Sequence, residues 1–156
     1  MDKIEKKLEA LDFQLPKPFV YPSPNRTGCV VTGNLIFISG HPPPSNFGVR
    51  VYGKVGDTIT ESEAVESARA TALCMLSSVK QELGTLERIT RVVKINGMVN
   101  SAPGFQRQFA VIDGASDLLY ELFGPHRGQH ARSAVGMFEF PRQFCMEIEG
   151  VMQISN

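Results

Sequence analysis

The spacing of hydrophobic and polar positions changes several times along the chain, and each change predicts a different element. Ile4, Leu8 and Leu11 stand four and three residues apart among charged residues, which predicts a short amphipathic helix over residues 2–11. Four prolines then fall between positions 16 and 24 and remove backbone N–H donors. Residues 1–25 are therefore predicted to be a helix followed by an extended surface arm.

A β-hairpin is predicted next. Residues 29–32 and 35–39 are apolar runs on either side of Gly33-Asn34, a dipeptide that suits a tight turn. Gly40-His41 and the three prolines that follow end the second strand. Residues 49–52 favour a third short strand before a glycine-bounded loop.

The longest helical pattern covers residues 61–83. Thr60 followed by Glu63 is a capping box, and apolar residues then recur at helical spacing up to Leu83. Gly84 stands where a C-terminal cap belongs. The apolar face is rich in alanine, so this helix is expected to approach a sheet closely.

The second half of the chain repeats the strand and helix pattern. Residues 89–99 are β-branched and apolar, which predicts a long strand. Residues 105–123 have helical spacing, but Asp113-Gly114 interrupts it, so a regular helix is predicted only from about residue 115. Residues 131–138 and 145–154 predict two further strands joined around Pro141.

The order of these elements indicates an α+β fold. Strands, helix, strand, helix and strands predict a mixed sheet of about six strands with two main helices on one face. The length of 156 residues and the 42% hydrophobic content suit one core, so residues 1–156 are predicted to form a single domain.

Charge and cysteine content restrict the partners and the compartment. The 16 basic and 16 acidic side chains cancel, so no global field attracts nucleic acid or an anionic membrane. The apolar run at residues 35–38 is far shorter than the ~20 residues of a membrane span. No apolar stretch follows the charged start, and three separated cysteines suit reduced thiols, so a cytoplasmic protein is expected.

Arg132 is the first candidate for chemistry. It begins a predicted strand among small and apolar neighbours, where a rigid backbone would hold its guanidinium. Arginine binds a carboxylate through two parallel hydrogen bonds, which makes Arg132 a candidate for a substrate carboxylate. The alternative is a salt-bridged surface arginine, because most arginines are exposed.

Glu147 is the second candidate. Glu147 and Glu149 alternate with Met146 and Ile148, so both carboxylates point to one face of the last strand. A partly buried carboxylate can serve as a general acid or base near neutral pH. The alternative is a solvated polar face, which half-buried strands commonly have.

The two candidates cannot easily share one small substrate within one chain. If the last two strands form a hairpin centred near residue 142, Glu147 lies opposite Met137, five residues from Arg132. That separation is roughly 17 Å at ~3.3 Å per residue. A joint site would then need two copies of the chain, which predicts an oligomer with sites at its interfaces.

Other chemistries have weaker support in the sequence. Glycine and proline around His126 and His130 deny the helix that would align them on a metal, so no metal site is expected. Ser39-Gly40-His41 lacks the G-x-S-x-G pattern of a serine hydrolase. The backbone N–H groups around Gly40 can still donate to an oxyanion or a carboxylate; the alternative is an ordinary turn glycine.

Several segments together resemble the RidA/YjgF superfamily, and in particular a longer-chain branch of it. The likeness extends over nearly the whole chain and is most specific at its end. The matching segments are GNLIFISG at 33–40, GKVG at 53–56, RVVKINGMVNSAPGF at 91–105, DGASDLLYELFG at 113–124, ARSAVGMFEFP at 131–141 and EIEG at 147–150.

The resemblance implies a chorismate-mutase-like fold and a homotrimer with clefts between subunits. It also implies hydrolysis of reactive 2-imino acids to 2-keto acids and ammonia, with no cofactor. By position, Arg132 matches the arginine that binds the substrate carboxylate and Glu147 matches the glutamate that activates water. Ser39 and Gly40 match residues that line the cleft.

The chain departs from the pattern at four positions near the implied cleft. Arg26 stands where many members have a tyrosine, and His41 where glutamine is common. Ala134 replaces a cysteine that contributes its backbone, and Asp117 lies near a usual asparagine. The residues expected to contact the substrate are therefore Arg26, Ala134 and Asp117. Because they differ from the usual residues, the preferred side chain of the substrate is not defined.

Two other functions stay open at this point. A non-catalytic trimer could bind small carboxylates or a partner in the same clefts. Many relatives carry an endoribonuclease or translation-inhibitor label, but the neutral charge and three scattered tyrosines give no basic stripe with stacking aromatics. Nucleic acid is therefore not expected as a partner.

Overall fold

A computed structural model describes residues 3–156 as one mixed sheet with two long helices on one of its faces. The sheet has five strands in the order β1-β2-β5-β3-β4, and only β3 and β4 run parallel. The α+β class is confirmed. The elements are α1 (Lys3–Ala10), β1 (Cys29–Thr32), β2 (Leu35–His41), α2 (Glu61–Leu83), β3 (Ile89–Asn100), α3 (Gln108–Gly128), β4 (Ala131–Met137) and β5 (Met146–Ile154).

Helix α2 begins and ends as its sequence predicts. The backbone N–H of Glu63 donates to the Thr60 hydroxyl over 3.2 Å, and the Thr60 N–H donates to the Glu63 carboxylate over 2.9 Å. Gly84 takes the left-handed conformation with φ 81° and donates its N–H to the Lys80 carbonyl. Both ends satisfy backbone groups that would otherwise lack partners.

Helix α3 begins earlier than predicted, at Gln108 rather than near residue 115. Asp113-Gly114 does not interrupt the helix. Gly114 lies against the carbonyl oxygen of Val65 on α2. A Cβ atom at position 114 would fall well inside van der Waals contact of that oxygen. Gly114 therefore marks a close helix crossing. The helix is kinked at Gly124, where φ is 76°.

The predicted hairpin between the last two strands is wrong. Strand β3 lies between β4 and β5: Met98 pairs with Val135 on one side and with Glu147 on the other. The reason is the crossover through α3, which places β4 parallel to β3, the arrangement that a βαβ unit requires. Strand β5 then pairs with both β2 and β3 in the middle of the sheet.

The predicted third strand over residues 49–52 is also wrong, so the sheet has five strands rather than six. Tyr52 forms only an isolated bridge with Phe144. The Arg50 carbonyl accepts from the Ser67 hydroxyl of α2 over 2.7 Å, and the Val51 carbonyl accepts from the Cys145 N–H over 2.8 Å. These contacts fix the segment as a loop between α2 and the start of β5.

The N-terminal prediction is confirmed where residues are described. Helix α1 covers Lys3–Ala10, and the part of the predicted helix at residue 2 lies outside the described residues. The proline-rich segment has no regular structure and lies on α2, with the Ser77 hydroxyl donating to the Pro16 carbonyl over 2.5 Å. No helix within residues 3–156 is long and apolar enough to cross a bilayer.

The two faces of the sheet differ sharply. On the helix side, Ile95, Val99 and Ile148 are completely buried beneath α2 and α3. On the opposite side no helix of the described residues covers the strands, and Val30, Phe37 and Val135 are 55%, 44% and 42% exposed. An uncovered sheet face with exposed apolar side chains is typical of a surface that binds another protein.

The Gly114 contact gives a test of the helix crossing. Alanine normally stabilises a helix relative to glycine by about 1 kcal/mol, but Gly114→Ala is expected to destabilise the protein by about 1–3 kcal/mol because it forces α3 away from Val65. Denaturant unfolding measures the difference. The exposed Glu121→Ala is the control, with an expected change within about 0.5 kcal/mol. A more stable Gly114→Ala variant would contradict the close crossing.

Candidate functional site

Glu147 lies on the uncovered face of β5, beside the end of β2. Its carboxyl is half-buried, and burial raises its pKa above the usual range, with a smaller contribution from the charge of Glu149. A Cβ atom at Gly40 would lie 2.8 Å from Glu147 Oε2. Glycine at position 40 therefore lets the Glu147 carboxyl pack directly against the backbone of β2. A raised pKa is typical of a carboxyl that takes and returns protons.

The Ser39-Gly40 segment forms one wall beside Glu147. The pairing of β2 with β5 shifts register between Ile38 and His41, so Ser39 and Gly40 lie in an irregular part of the ladder. The Ser39 N–H donates to the Gly28 carbonyl over 2.9 Å, and the Ser39 hydroxyl donates to the Thr27 carbonyl over 2.6 Å. The segment is therefore anchored to the chain that leads into β1.

His41 supports this segment from the core. It is completely buried, with Nδ1 2.6 Å from the Ser39 carbonyl and Nε2 2.8 Å from the Ser78 hydroxyl. A carbonyl can only accept, so Nδ1 carries the proton and Nε2 accepts from Ser78. Burial lowers the pKa of His41, which keeps the ring neutral.

Tyr21 is a site residue that the sequence analysis missed. Its hydroxyl donates to the Gly40 carbonyl over 2.9 Å, and its ring packs edge-on against His41. Burial raises the pKa of Tyr21 to about 12. Arg26, expected at a tyrosine position, is exposed and donates to the Asn25 side chain over 2.9 Å. A lone tyrosine within a proline-rich arm was the signal available in the sequence.

Arg132 lies at the edge of the sheet and points to the helix side. Its Nη1 donates to Asp113 Oδ1 over 2.7 Å and to the Ser116 hydroxyl over 3.1 Å. Its Nη2 donates to the Phe109 carbonyl over 3.3 Å. The side chain is 22% exposed, so α3 holds the guanidinium at the free edge of β4.

Ala134 and Asp117 lie on the Arg132 side. Ala134 is partly buried on β4, where it pairs with Gly97 and packs against the core. Asp117 is exposed on α3 and lines a groove of about 240 Å³ together with Tyr120, His130 and Arg132. Of the two, Asp117 therefore lines the same groove as Arg132, whereas Ala134 does not.

Arg132 and Glu147 are far apart within one chain. Glu147 is two strands away from Val135, which is three residues along β4 from Arg132. The Cα separation is about 14 Å at the usual strand and residue spacings. Their side chains also point to opposite faces, because Arg132 contacts α3 and Glu147 lies on the uncovered side. The hairpin behind the predicted separation was wrong, yet the residues are indeed separated.

The uncovered face also carries a cleft of about 510 Å³ at its middle. Ser39 and Phe37 line it on the β2 side, and Lys94, Ser133 and Glu149 line it further across the sheet. Asn96 donates to the Glu149 carboxylate over 3.2 Å. Residues 3–156 contain no group of three histidine, cysteine, aspartate or glutamate side chains placed to hold a metal ion.

Comparison with known proteins defines the family. The model of the family described as "YjgF/chorismate_mutase-like, putative endoribonuclease" matches residues 5–146. The chain belongs to the YjgF (RidA) family. Protein TCP17 of Trypanosoma cruzi is 36% identical over 154 residues, which cover 99% of this chain and 96% of that protein. The resemblance seen in the sequence is thereby confirmed.

Solved structures of similar proteins share the fold. Atu1372 of Agrobacterium tumefaciens, a protein of unknown function, is 37% identical with a TM-score of 0.88, over 98% of this chain and 94% of that one. A protein from Shewanella oneidensis MR-1, described as "a putative endoribonuclease", is 25% identical with a TM-score of 0.91, over 98% and 100% of the two chains.

The raised pKa of Glu147 predicts a cost in stability at neutral pH. The folded protein favours the protonated carboxyl, so stability is lost as pH rises above the ordinary value of 4.5. Glu147→Gln removes this loss, and we expect the variant to be more stable than the wild type at pH 7 but not at pH 4. Denaturant midpoints at both pH values measure this, with exposed Glu139→Gln as control. Equal midpoints at pH 7 would contradict it.

The lowered pKa of His41 predicts the opposite dependence of stability on pH. Its pKa is lowered in the folded protein, so the unfolded chain binds the proton more readily and stability falls as pH drops below about 6.5. His41→Gln removes this titration and should flatten the stability profile between pH 7 and pH 5. Exposed His126→Gln is the control. The interpretation fails if the wild type and His41→Gln lose stability in parallel over this range.

Proposed function

We propose that this YjgF-family chain is a hydrolytic deaminase that converts 2-imino and enamine acids to 2-keto acids and ammonia. The reaction would take place in clefts between the subunits of a homotrimer. The observation that carries the proposal is the half-buried Glu147 carboxyl, with its raised pKa, facing the Ser39-Gly40 segment. An endoribonuclease description accompanies the family, but that description alone assigns no residue of this chain to RNA.

Two features favour a site shared between subunits. Arg132 and Glu147 lie on opposite faces of one sheet, so a second chain is needed to bring a guanidinium to the Glu147 side. The uncovered face exposes Phe37 and Val135, and β4 has a free edge beside Arg132. A contact between two different surfaces of the same chain forms a closed ring when the rotation between subunits permits closure, and the family resemblance implies a ring of three.

The proposed mechanism needs only binding and proton transfer. Arg132 of one subunit binds the substrate carboxylate and orients the imine carbon toward Glu147 of its neighbour. Glu147 takes a proton from water as the water oxygen attacks the carbon of the protonated imine, which gives a tetrahedral carbinolamine. Glu147 then returns this proton to the nitrogen and takes the proton of the carbinolamine hydroxyl as the C–N bond breaks. The keto acid and ammonia leave, and the last proton passes from Glu147 to the ammonia. No cofactor takes part.

The remaining residues have supporting roles in this scheme. The Ser39-Gly40 segment lines the cleft, and the missing Cβ of Gly40 lets the Glu147 carboxyl lie directly against this segment. Tyr21 keeps its proton, because burial raises its pKa to about 12, and it fixes the Gly40 carbonyl rather than acting as a base. Asp117 would contact the substrate from the Arg132 groove, whereas Ala134 packs against the core on β4 and Arg26 lies on the arm.

A trimer that only binds carboxylates is the second candidate. The Arg132 guanidinium favours it as strongly as it favours an enzyme, because the same contacts bind a keto acid. An RNA-cleaving protein has less support, since the three tyrosines lie on the arm, in the loop before α2 and on α3 rather than on one surface.

Single substitutions separate these functions. We expect Arg132→Lys to lower imine hydrolysis at least tenfold because the two-pronged carboxylate contact is lost. Glu147→Gln should lower it about 100-fold or more because proton transfer is lost while carboxylate binding persists. Keto-acid release from an enzymatically generated imino acid measures the rate, and exposed Arg91→Ala is the control. No acceleration by the wild type, with saturable keto-acid binding that needs Arg132, would favour the binding trimer.

Mixing the two impaired variants tests the shared cleft. Arg132→Lys and Glu147→Gln subunits are refolded together in equal amounts. If each cleft takes Arg132 from one subunit and Glu147 from its neighbour, roughly a quarter of the clefts contain both native residues. About a quarter of wild-type activity should return. If activity stays at the level of the separate variants although mass spectrometry shows mixed trimers, each cleft lies within one chain.

A further inference from the structure

Arg132 has a carboxylate partner within its own chain. Phe109, Asp113 and Ser116 are spaced four and three residues apart on α3, so they share the helix face that runs along β4. All three accept hydrogen bonds from the guanidinium, and the contact with Asp113 Oδ1, at 2.7 Å, is the shortest. A short charge-assisted contact on a rigid helix fixes the direction of the guanidinium plane.

These contacts use Nη1 and Nη2 of the guanidinium and leave Nε unused. Nη1 carries two of the three hydrogen bonds and Nη2 carries one, over 3.3 Å. Nε of Arg132 donates to no acceptor within residues 3–156. A carboxylate binds an arginine with two oxygens side by side, and the Nε and Nη2 edge presents two such donors.

Ser116 is itself fixed by the turn that precedes β4. His130 Nδ1 lies 2.6 Å from the Gly128 carbonyl and must donate to it, so Nε2 accepts from the Ser116 hydroxyl over 3.0 Å. The Ser116 hydroxyl proton is thereby directed to His130, and its lone pairs are left for Arg132. Each hydrogen bond around the guanidinium therefore pairs one donor with one acceptor.

We infer that Asp113 is a positioning residue, which holds Arg132 so that the Nε and Nη2 edge faces the carboxylate of a substrate or product. The inference deepens the proposed function and rests on it for the identity of the ligand. Asp113 is half-exposed but lies on the far side of the guanidinium from this edge, and touches no reacting atom in the proposed scheme.

The negative charge of Asp113 and its positioning of Arg132 have opposite expected effects on kcat/KM. The direction of the change in kcat/KM therefore distinguishes them. Removing a negative charge near the clamp would by itself strengthen binding of an anion. Removing a support that orients the clamp would weaken catalysis, since small misplacements of a positioning group lower rates strongly. If Asp113 positions Arg132, Asp113→Ala lowers kcat/KM; if it only repels the substrate, the same change raises kcat/KM.

The experiment compares Asp113→Ala and Asp113→Asn with the full-length wild type. We expect kcat/KM for imine hydrolysis to fall roughly tenfold or more in Asp113→Ala, mainly through kcat. Asp113→Asn keeps an acceptor oxygen at the same place and should recover much of the loss. Exposed Glu121→Ala, further along α3, is the matched control with wild-type kinetics. Unchanged circular dichroism and oligomer mass exclude unfolding as the cause.

A spectroscopic measurement decides the inference independently of catalysis. Nitrogen-15 NMR of the Arg132 guanidinium, assigned by its absence in Arg132→Lys, should show slow Nη exchange in the wild type and averaging in Asp113→Ala. If the wild type hydrolyses no imine, the proposed function fails while this signal still tests Asp113. Equal exchange in both proteins, or kcat/KM at or above the wild-type value in Asp113→Ala, overturns the positioning role.

Discussion

The close packing of α3 against both β3 and α2 is the constraint on which the rest of the structure depends. Gly97 of β3 lies directly beneath Ile112, and Gly114 lies directly against the Val65 carbonyl. With any larger side chain at either position, α3 would have to move outward. Its present depth brings Phe109, Asp113 and Ser116 within hydrogen-bonding distance of β4, so the same packing that forms the core also sets the orientation of Arg132.

Local signals in the sequence were sufficient where an element depends on its own residues. Thr60, Glu63 and Gly84 define α2 because each satisfies backbone groups of that helix alone. The sequence was misleading where a neighbour decides. Gly114 has the pattern of a helix breaker, but its role comes from an α2 carbonyl, and the pairing of β5 with β2 and β3 depends on residues far away in the chain.

The candidate site shows the same division. Arg132 and Glu147 stood out through their residue types and the family pattern, whereas Tyr21 and Asp113 act through single contacts with Gly40 and Arg132 that no local spacing reveals. The site also contains ionisable side chains whose pKa values are shifted from their ordinary values. Glu147 is a carboxyl with a raised pKa at the rim of the core, and His41 is a neutral imidazole inside it. Stability is commonly lower where chemistry requires such groups.

The opposed faces of Arg132 and Glu147 carry a consequence for the behaviour of the protein in solution. In the proposed trimer, a free subunit has both groups and yet no complete cleft. Specific activity would then depend on protein concentration, constant where the ring is intact and falling steeply on dilution below its dissociation constant. Expression level would set not only the amount of this protein in a cell but also the fraction of it that works.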